Sequence, residues 1–188
     1  MAGVPGVGKT TVLQELEAAG QQRSVPLKIV NFGDVMNHLF KTSGKQLHRD
    51  HMRRQDINQQ TRIQQRAAQK IAKMSGKSNL IVDTHMFVRT TDGIWPGTPR
   101  KVLEALHPSL IVLIEAVPEE VAKRRTMDNT RERENDTVEE AKMDLEWSRY
   151  MASANAVLAG IPIQIVENRE GHQHQAAKDL LRLIEKMN

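Results

Sequence analysis

Within its first ten residues the chain carries Gly3-Val4-Pro5-Gly6-Val7-Gly8-Lys9-Thr10, a match to G-x-x-x-x-G-K-[ST] at every fixed position. The spacing has a physical meaning. Glycines let successive backbone N–H groups turn toward one point, and Lys9 reaches toward the same point. A helix must follow, and its N-terminal end adds a positive dipole. The stretch from Gly3 through Val4, Pro5, Gly6, Val7, Gly8, Lys9 and Thr10 to Thr11 is therefore expected to cradle nucleotide phosphates. The Thr10 hydroxyl is placed to ligate Mg²⁺.

A loop of this kind hangs from the C-terminal end of a central parallel strand. Only Met1 and Ala2 precede it, so the first strand reads as truncated, with Ala2 as its last residue. Four further apolar runs read as buried parallel strands: Leu27 to Phe32, Leu80 to Asp83, Leu110 to Glu115 and Ile163 to Glu167. Lys28 and Gln164 interrupt the first and last of these, placing them nearer the edges. Helical patterns lie between the strands. They are Thr11 to Ala19 with a stop at Gly20, Asp56 to Met74, Pro99 to Leu106, a capping box Thr137-Val138-Glu139-Glu140 opening a helix to about Gly160, and a last helix around Ala177 to Ile184. The fold class is α/β, an open parallel sheet of the P-loop NTPase type with helices on both faces. Ligands in such sheets bind at the strands' carboxyl ends, where Asn31, Asp83-Thr84-His85 and Glu115 fall.

The 188 residues are enough for one domain with a core, and no apolar run approaches the roughly 20 residues of a membrane span. No secretory signal pattern is present. Cysteine is absent, which excludes disulfides and a thiolate zinc lid. The net charge of +4 suits polyanionic partners, but an aromatic content of 3% leaves few platforms for stacking nucleic-acid bases.

Asp83 ends an apolar strand where phosphate-loop proteins hold Mg²⁺, directly or through water. The segment Arg124 to Arg133 packs four arginines into ten residues, as a closing element that neutralises phosphate charge would. Trp95-Pro96-Gly97-Thr98-Pro99 reads as a rigid loop facing substrate. His48 with His51, and His172 with His174, read as surface pairs rather than metal ligands. His85 follows Asp83 and reads equally as a turn residue or a site residue. The methionines within helices, such as Met74 and Met143, read as core.

Taken in order, GVPGVGKTT, VNFGDVM, RDHMRR, VDTH, DGIWPGTP and RRTMDNTRER resemble the archaeal-type adenylate kinases, a family of P-loop nucleoside monophosphate kinases, over nearly the whole chain. The resemblance implies reversible transfer, ATP + AMP giving two ADP, with Mg²⁺. It implies one kinase domain over residues 1–188, with an AMP-binding insertion at about 32–75 and an arginine-rich lid at about 124–136. Phe32, Gly33, Met36, Arg53, Thr84 and His85 would bind the acceptor, with Arg54 adjacent. Arg53, Arg124, Arg125, Arg131 and Arg133 would act with Lys9 on the phosphates, and Thr10 and Asp83 on the metal. A cytoplasmic homotrimer is implied, with no membrane or nucleic-acid partner. Another nucleotide or small-molecule kinase, or an RNA-associated ATPase, remains the alternative at this point.

Overall fold

The computed structural model describes residues 1–42, 57–74, 76, 79–90, 93–128 and 137–187. In chain order the elements are α1 (Lys9–Gln22), β1 (Leu27–Asn31), α2 (Phe32–Thr42), α3 (Ile57–Ala72), β2 (Asn79–Asp83), β3 (Phe87–Thr90) and β4 (Gly93–Pro96). They continue with α4 (Arg100–Leu106), β5 (Ile111–Glu115), α5 (Pro118–Thr126), α6 (Val138–Ala159), β6 (Ile163–Glu167) and α7 (Gln173–Met187).

α1 begins where the phosphate loop ends and buries Val12, Leu13 and Leu16 on one face. It does not stop at Gly20 but runs on to Gln22. Gly20 lies against Leu27, and a Cβ there would collide with that side chain, so this glycine allows close packing instead of ending the helix. α2 follows β1 without a loop, because the Asn31 carboxamide oxygen accepts a hydrogen bond from the Asp34 amide at 3.0 Å and so caps the first turn. At α6 the expected cap forms: the Thr137 hydroxyl accepts from the Glu140 amide at 3.2 Å, and Gly160 ends the helix at φ 66°.

The sheet is parallel and built in two halves. β1 pairs with β2, Asn31 opposite Asp83, and β5 pairs with β6, Glu115 opposite Glu167. Ala2 joins the halves through parallel bridges to Thr84 and Leu113. Its N–H donates to the Val112 carbonyl and its carbonyl accepts from the Ile114 amide, both at 2.8 Å, while the Thr84 amide donates to the Met1 carbonyl at 3.0 Å. The order across the sheet is therefore β1, β2, Met1–Ala2, β5, β6. The central place is held by Met1–Ala2, and the strands carrying Lys28 and Gln164 lie outermost, as those residues suggested.

The alternation of β1 and β2 serves two cores. Ile29 and Ile81 face the larger one, built with α1, α6 and α7. Val30, Leu80 and Val82 face a second one with Phe32, Phe40, Ile63, Ile71 and Val102. Helices thus cover both faces. A cavity of about 620 Å³ opens beside Met1, lined by Leu80, Val82, Val112, Leu180 and Ile184 among others. The Met1 amine donates to the Val82 carbonyl at 2.9 Å. Burial, and then the charge of Lys9, pushes that amine from its ordinary pKa of 8.0 down to about 5.

β3 and β4 form an antiparallel hairpin, Val88 opposite Trp95. The Trp95–Pro96 stretch therefore belongs to a strand. Its neighbours include a buried glutamine of α3, whose Nε2 donates to the Pro96 carbonyl (Gln64, 3.3 Å). Among the described residues, no helix is long and apolar enough to cross a membrane.

Candidate active site

The phosphate loop is shaped from outside. Gly6 and Gly8 adopt φ 92° and 77°, which L side chains rarely adopt, and a Cβ on Gly8 would lie 2.5 Å from Asn168 Nδ2. Four loop carbonyls are held by donors from other elements. Gly3 O accepts from His85 Nδ1 at 2.8 Å, Pro5 O from Arg125 Nε at 2.9 Å, Gly6 O from Arg124 at 3.4 Å and Val7 O from Asn168 Nδ2 at 2.7 Å. A carbonyl can only accept, so the His85 proton sits on Nδ1. Across a trans peptide the C=O and the next N–H point oppositely. Fixing the carbonyls of Pro5 and Val7 thereby aims the amides of Gly6 and Gly8 the other way, as anion binding requires.

On the floor of the site Lys9 donates to Asp83 Oδ1, and Asn31 Nδ2 donates to Asp83 Oδ2 at 2.7 Å. Both partners of the ion pair are nine-tenths buried. The Thr10 hydroxyl shares the same cavity. One carboxylate and one hydroxyl are hard oxygen donors of the kind Mg²⁺ takes when substrate phosphates and water complete its shell. Among the described residues no group of three or more His, Cys, Asp or Glu could hold a metal alone. Thr10 and Asp83 are oxygen donors of this cavity that could hold such an ion.

These residues border a cavity of about 430 Å³. Val4, Pro5, Gly6, Gly8, Lys9 and Thr10 line it from the loop. Phe32, Gly33 and Met36 line it from α2, Asp83 from the end of β2 with Thr84 and His85 just after it, and Arg124 from α5. Gly3, Val7, Thr11 and Arg125 are not part of its lining. Arg53, Arg54, Arg131, Arg133, His48 and His51 lie outside the described residues.

Asn31, Gly97 of the Trp95–Pro99 stretch and Asp128 of the arginine-rich segment also line it, and so do Gln60, Gln64 and Val88, which the sequence pattern did not single out. Gln60 and Gln64 are 7% and 4% exposed. Their signal was present, since two glutamines at i, i+4 interrupt the apolar face formed by Ile63, Ala67 and Ile71. Asn168 also carried a signal, as a polar residue just beyond the apolar run of β6.

α5 explains the arginine-rich stretch locally. Pro118 starts it, Glu119 and Glu120 occupy its first turn, and Lys123, Arg124 and Arg125 its last, matching the helix dipole at both ends. Arg124 is 24% exposed and pairs with Glu120 at 2.6 Å. Arg125 is turned inward, 4% exposed, and pairs with Asp144 at 2.9 Å. Glu115, at the exit of β5, is held by Arg149 through two hydrogen bonds of 2.8 and 2.5 Å, which raise the Arg149 pKa further.

A family model described as an AAA domain matches residues 2–142. The adenylate kinase of Methanocaldococcus jannaschii is 39% identical over 184 residues, covering 98% of this chain and 96% of that protein. That of Methanopyrus kandleri is 40% identical over 186 residues, with 97% and 94% covered. That of Sulfurisphaera tokodaii is 37% identical over 185 residues, with 96% and 95% covered. Similarity of this depth covers nearly the whole of this chain and of each relative, and on it the chain belongs to the adenylate kinase family of phosphate-loop kinases.

Proposed function

We propose that this chain is an adenylate kinase, transferring a phosphoryl group reversibly and with Mg²⁺ between ATP and AMP to give two ADP. The observation that carries the reading is the shared cavity. The phosphate loop, Asp83, the N-terminal turns of α2 and the glutamine face of α3 all border one cleft, so a donor and an acceptor can meet there. Phosphoryl transfer needs in-line positioning and charge neutralisation, with little covalent chemistry from the protein. Lys9 would exchange Asp83 for the β- and γ-phosphates, and the amides of Gly6 and Gly8 would bind their oxygens. Mg²⁺, held through Thr10 and Asp83, supplies neutralisation of the phosphate charge when bound. Phe32, Gly33, Met36, Thr84 and Arg53 would form the acceptor side. Arg124, Arg131 and Arg133 would close on the transferred group and exclude water.

The reading extends to organisation. Residues 1–188 form one kinase domain, with the acceptor-binding insertion at about 32–75 and the lid at about 124–136. Assembly into a homotrimer is supported by an exposed apolar stripe on α6, where Met143, Trp147, Tyr150, Val157 and Leu158 recur at helical spacing. The enzyme would work in the cytoplasm with the nucleotides it interconverts.

The test is ADP formation from Mg-ATP with and without AMP, and with other monophosphates or RNA in its place. ADP formation that requires AMP is expected. Equal turnover without AMP would make the protein an ATPase, stimulation by RNA would favour an RNA-associated one, and preference for another acceptor would make it a different kinase.

A further inference from the structure

The two adjacent arginines at the end of α5 diverge. Arg124 borders the cavity, whereas Arg125 is buried and spends its guanidinium on protein groups: Nε on the Pro5 carbonyl at 2.9 Å and one terminal nitrogen on Asp144 Oδ2 at 2.9 Å. Asp144, on α6, is only 6% exposed, and its other oxygen accepts from Arg89 of β3 at 3.1 and 2.6 Å. One carboxylate thus ties together the helix before residues 129–136, the helix after them, the phosphate loop and the β3–β4 hairpin whose Val88 borders the cavity.

Building on the proposed function, we infer that Asp144 and Arg125 are positioning residues for the phosphate loop, and that of the adjacent arginines only Arg124 faces the nucleotide. The physical reason is geometric. Arg125 can hold the Pro5 carbonyl only while Asp144 fixes the far side of its planar fork, and lysine, with a single nitrogen, cannot span both groups. The held carbonyl sets the direction of the Gly6 amide. A loose Arg125 would leave the loop to be ordered by the nucleotide itself, weakening binding of the triphosphate.

The experiment uses the full chain and measures Mg-ATP affinity by calorimetry, alongside the kinetics of ADP formation, at a temperature where circular dichroism shows every variant folded. Arg125→Lys and Asp144→Asn are each expected to weaken Mg-ATP binding about tenfold and to leave the Michaelis constant for AMP within twofold. The double variant is expected to bind no more weakly than the weaker single, because both changes break one unit. Arg89→Lys, which loosens Asp144 from the half-exposed side, is expected to weaken binding about threefold. It carries the comparison if Asp144→Asn yields no folded protein. Lowered melting temperatures with wild-type affinity would reduce the cluster to a structural one and overturn the inference. So would loss of affinity in Arg125→Lys with none in Asp144→Asn or Arg89→Lys, which would return Arg125 to the phosphates. Wild-type protein that binds Mg-ATP but forms no ADP with AMP would instead refute the kinase reading, leaving the affinity comparison standing.

Discussion

Lys9 and Asp83, 74 positions apart in the chain, form an ion pair on the floor of the cavity, with side chains only 10% and 9% exposed. Asp83 is also fixed by Asn31, so the pair sets where Lys9 stands beside the phosphate loop. Breaking such a pair from one side strands a buried charge, at a cost of about 3–5 kcal/mol.

Lys9→Ala is therefore expected to lower turnover by more than about a hundredfold and to destabilise the fold by about 3–5 kcal/mol. The double variant Lys9→Met, Asp83→Asn removes both charges and should recover much of the stability while remaining inactive. Denaturant titrations with ADP assays on both proteins check this. Wild-type turnover in Lys9→Ala would remove Lys9 from the chemistry.

Arg53 and Arg131 are expected to separate in kinetics. Removing one charge-assisted contact to the acceptor phosphate in Arg53→Ala should cost AMP use about 1.5–3 kcal/mol. Arg131→Ala should instead act on kcat, because its contact strengthens as charge develops. Steady-state kinetics decide it, and equal effects of Arg53→Ala on the ATP and AMP Michaelis constants would cancel the assignment.

A chain that starts at Met1 buries its own amine, and the pKa of about 5 against 8.0 fixes a pH dependence. The unfolded amine takes up a proton between pH 8 and 5 while the folded one stays neutral. Stability from this group is thus fully present above pH 8, falls as pH drops, and levels off below 5, by on the order of 4 kcal/mol in all. A Val/Ile-rich stretch of about five residues placed before Met1 should abolish that slope. It should also raise the melting temperature, since it would pair with the facing edges of β2 and β5 at about 1 kcal/mol net per hydrogen bond and fill apolar space beside them. A lower Michaelis constant for ATP is expected as the loop gains its support. Thermal melts of both proteins from pH 5 to 8 test it, and an extended protein that melts no higher would contradict the pairing.

The α6 stripe offers a test of assembly. Val157 is 83% exposed and Tyr150 63%. Tyr150→Lys with Val157→Lys is expected to convert oligomers to monomers in sedimentation velocity with little change in secondary structure, because both side chains sit in solvent in the single chain. Unchanged sedimentation would place the interface elsewhere.

Much of the site was legible because its parts are local. The loop motif names its own geometry, and Asp83 announces itself by ending an uninterrupted apolar strand. α5 was less legible. Its lysine and arginines conceal a short helix whose buried positions are Val121, Ala122 and Arg125, an apolar face too small to show as periodicity. The hairpin was missed because Trp95, Pro96 and Gly97 give the same local signal in a turn as at a strand end.

What the sequence by itself determined is the list of chemical groups and the order in which strands deliver them to one sheet edge, since backbone preference, apolar periodicity and the loop's glycines act over a few residues. Which groups meet was decided only by the tertiary structure. Arg124 and Arg125 are neighbours in sequence, yet successive residues on a helix point about 100° apart, and the packing of α5 against α6 sends one to the cavity and the other to Asp144. Likewise Ala2 reads as almost nothing in the chain, but in the fold it is the residue that joins two halves of a sheet, because only there do the edges of β2 and β5 come within hydrogen-bonding reach of the same backbone.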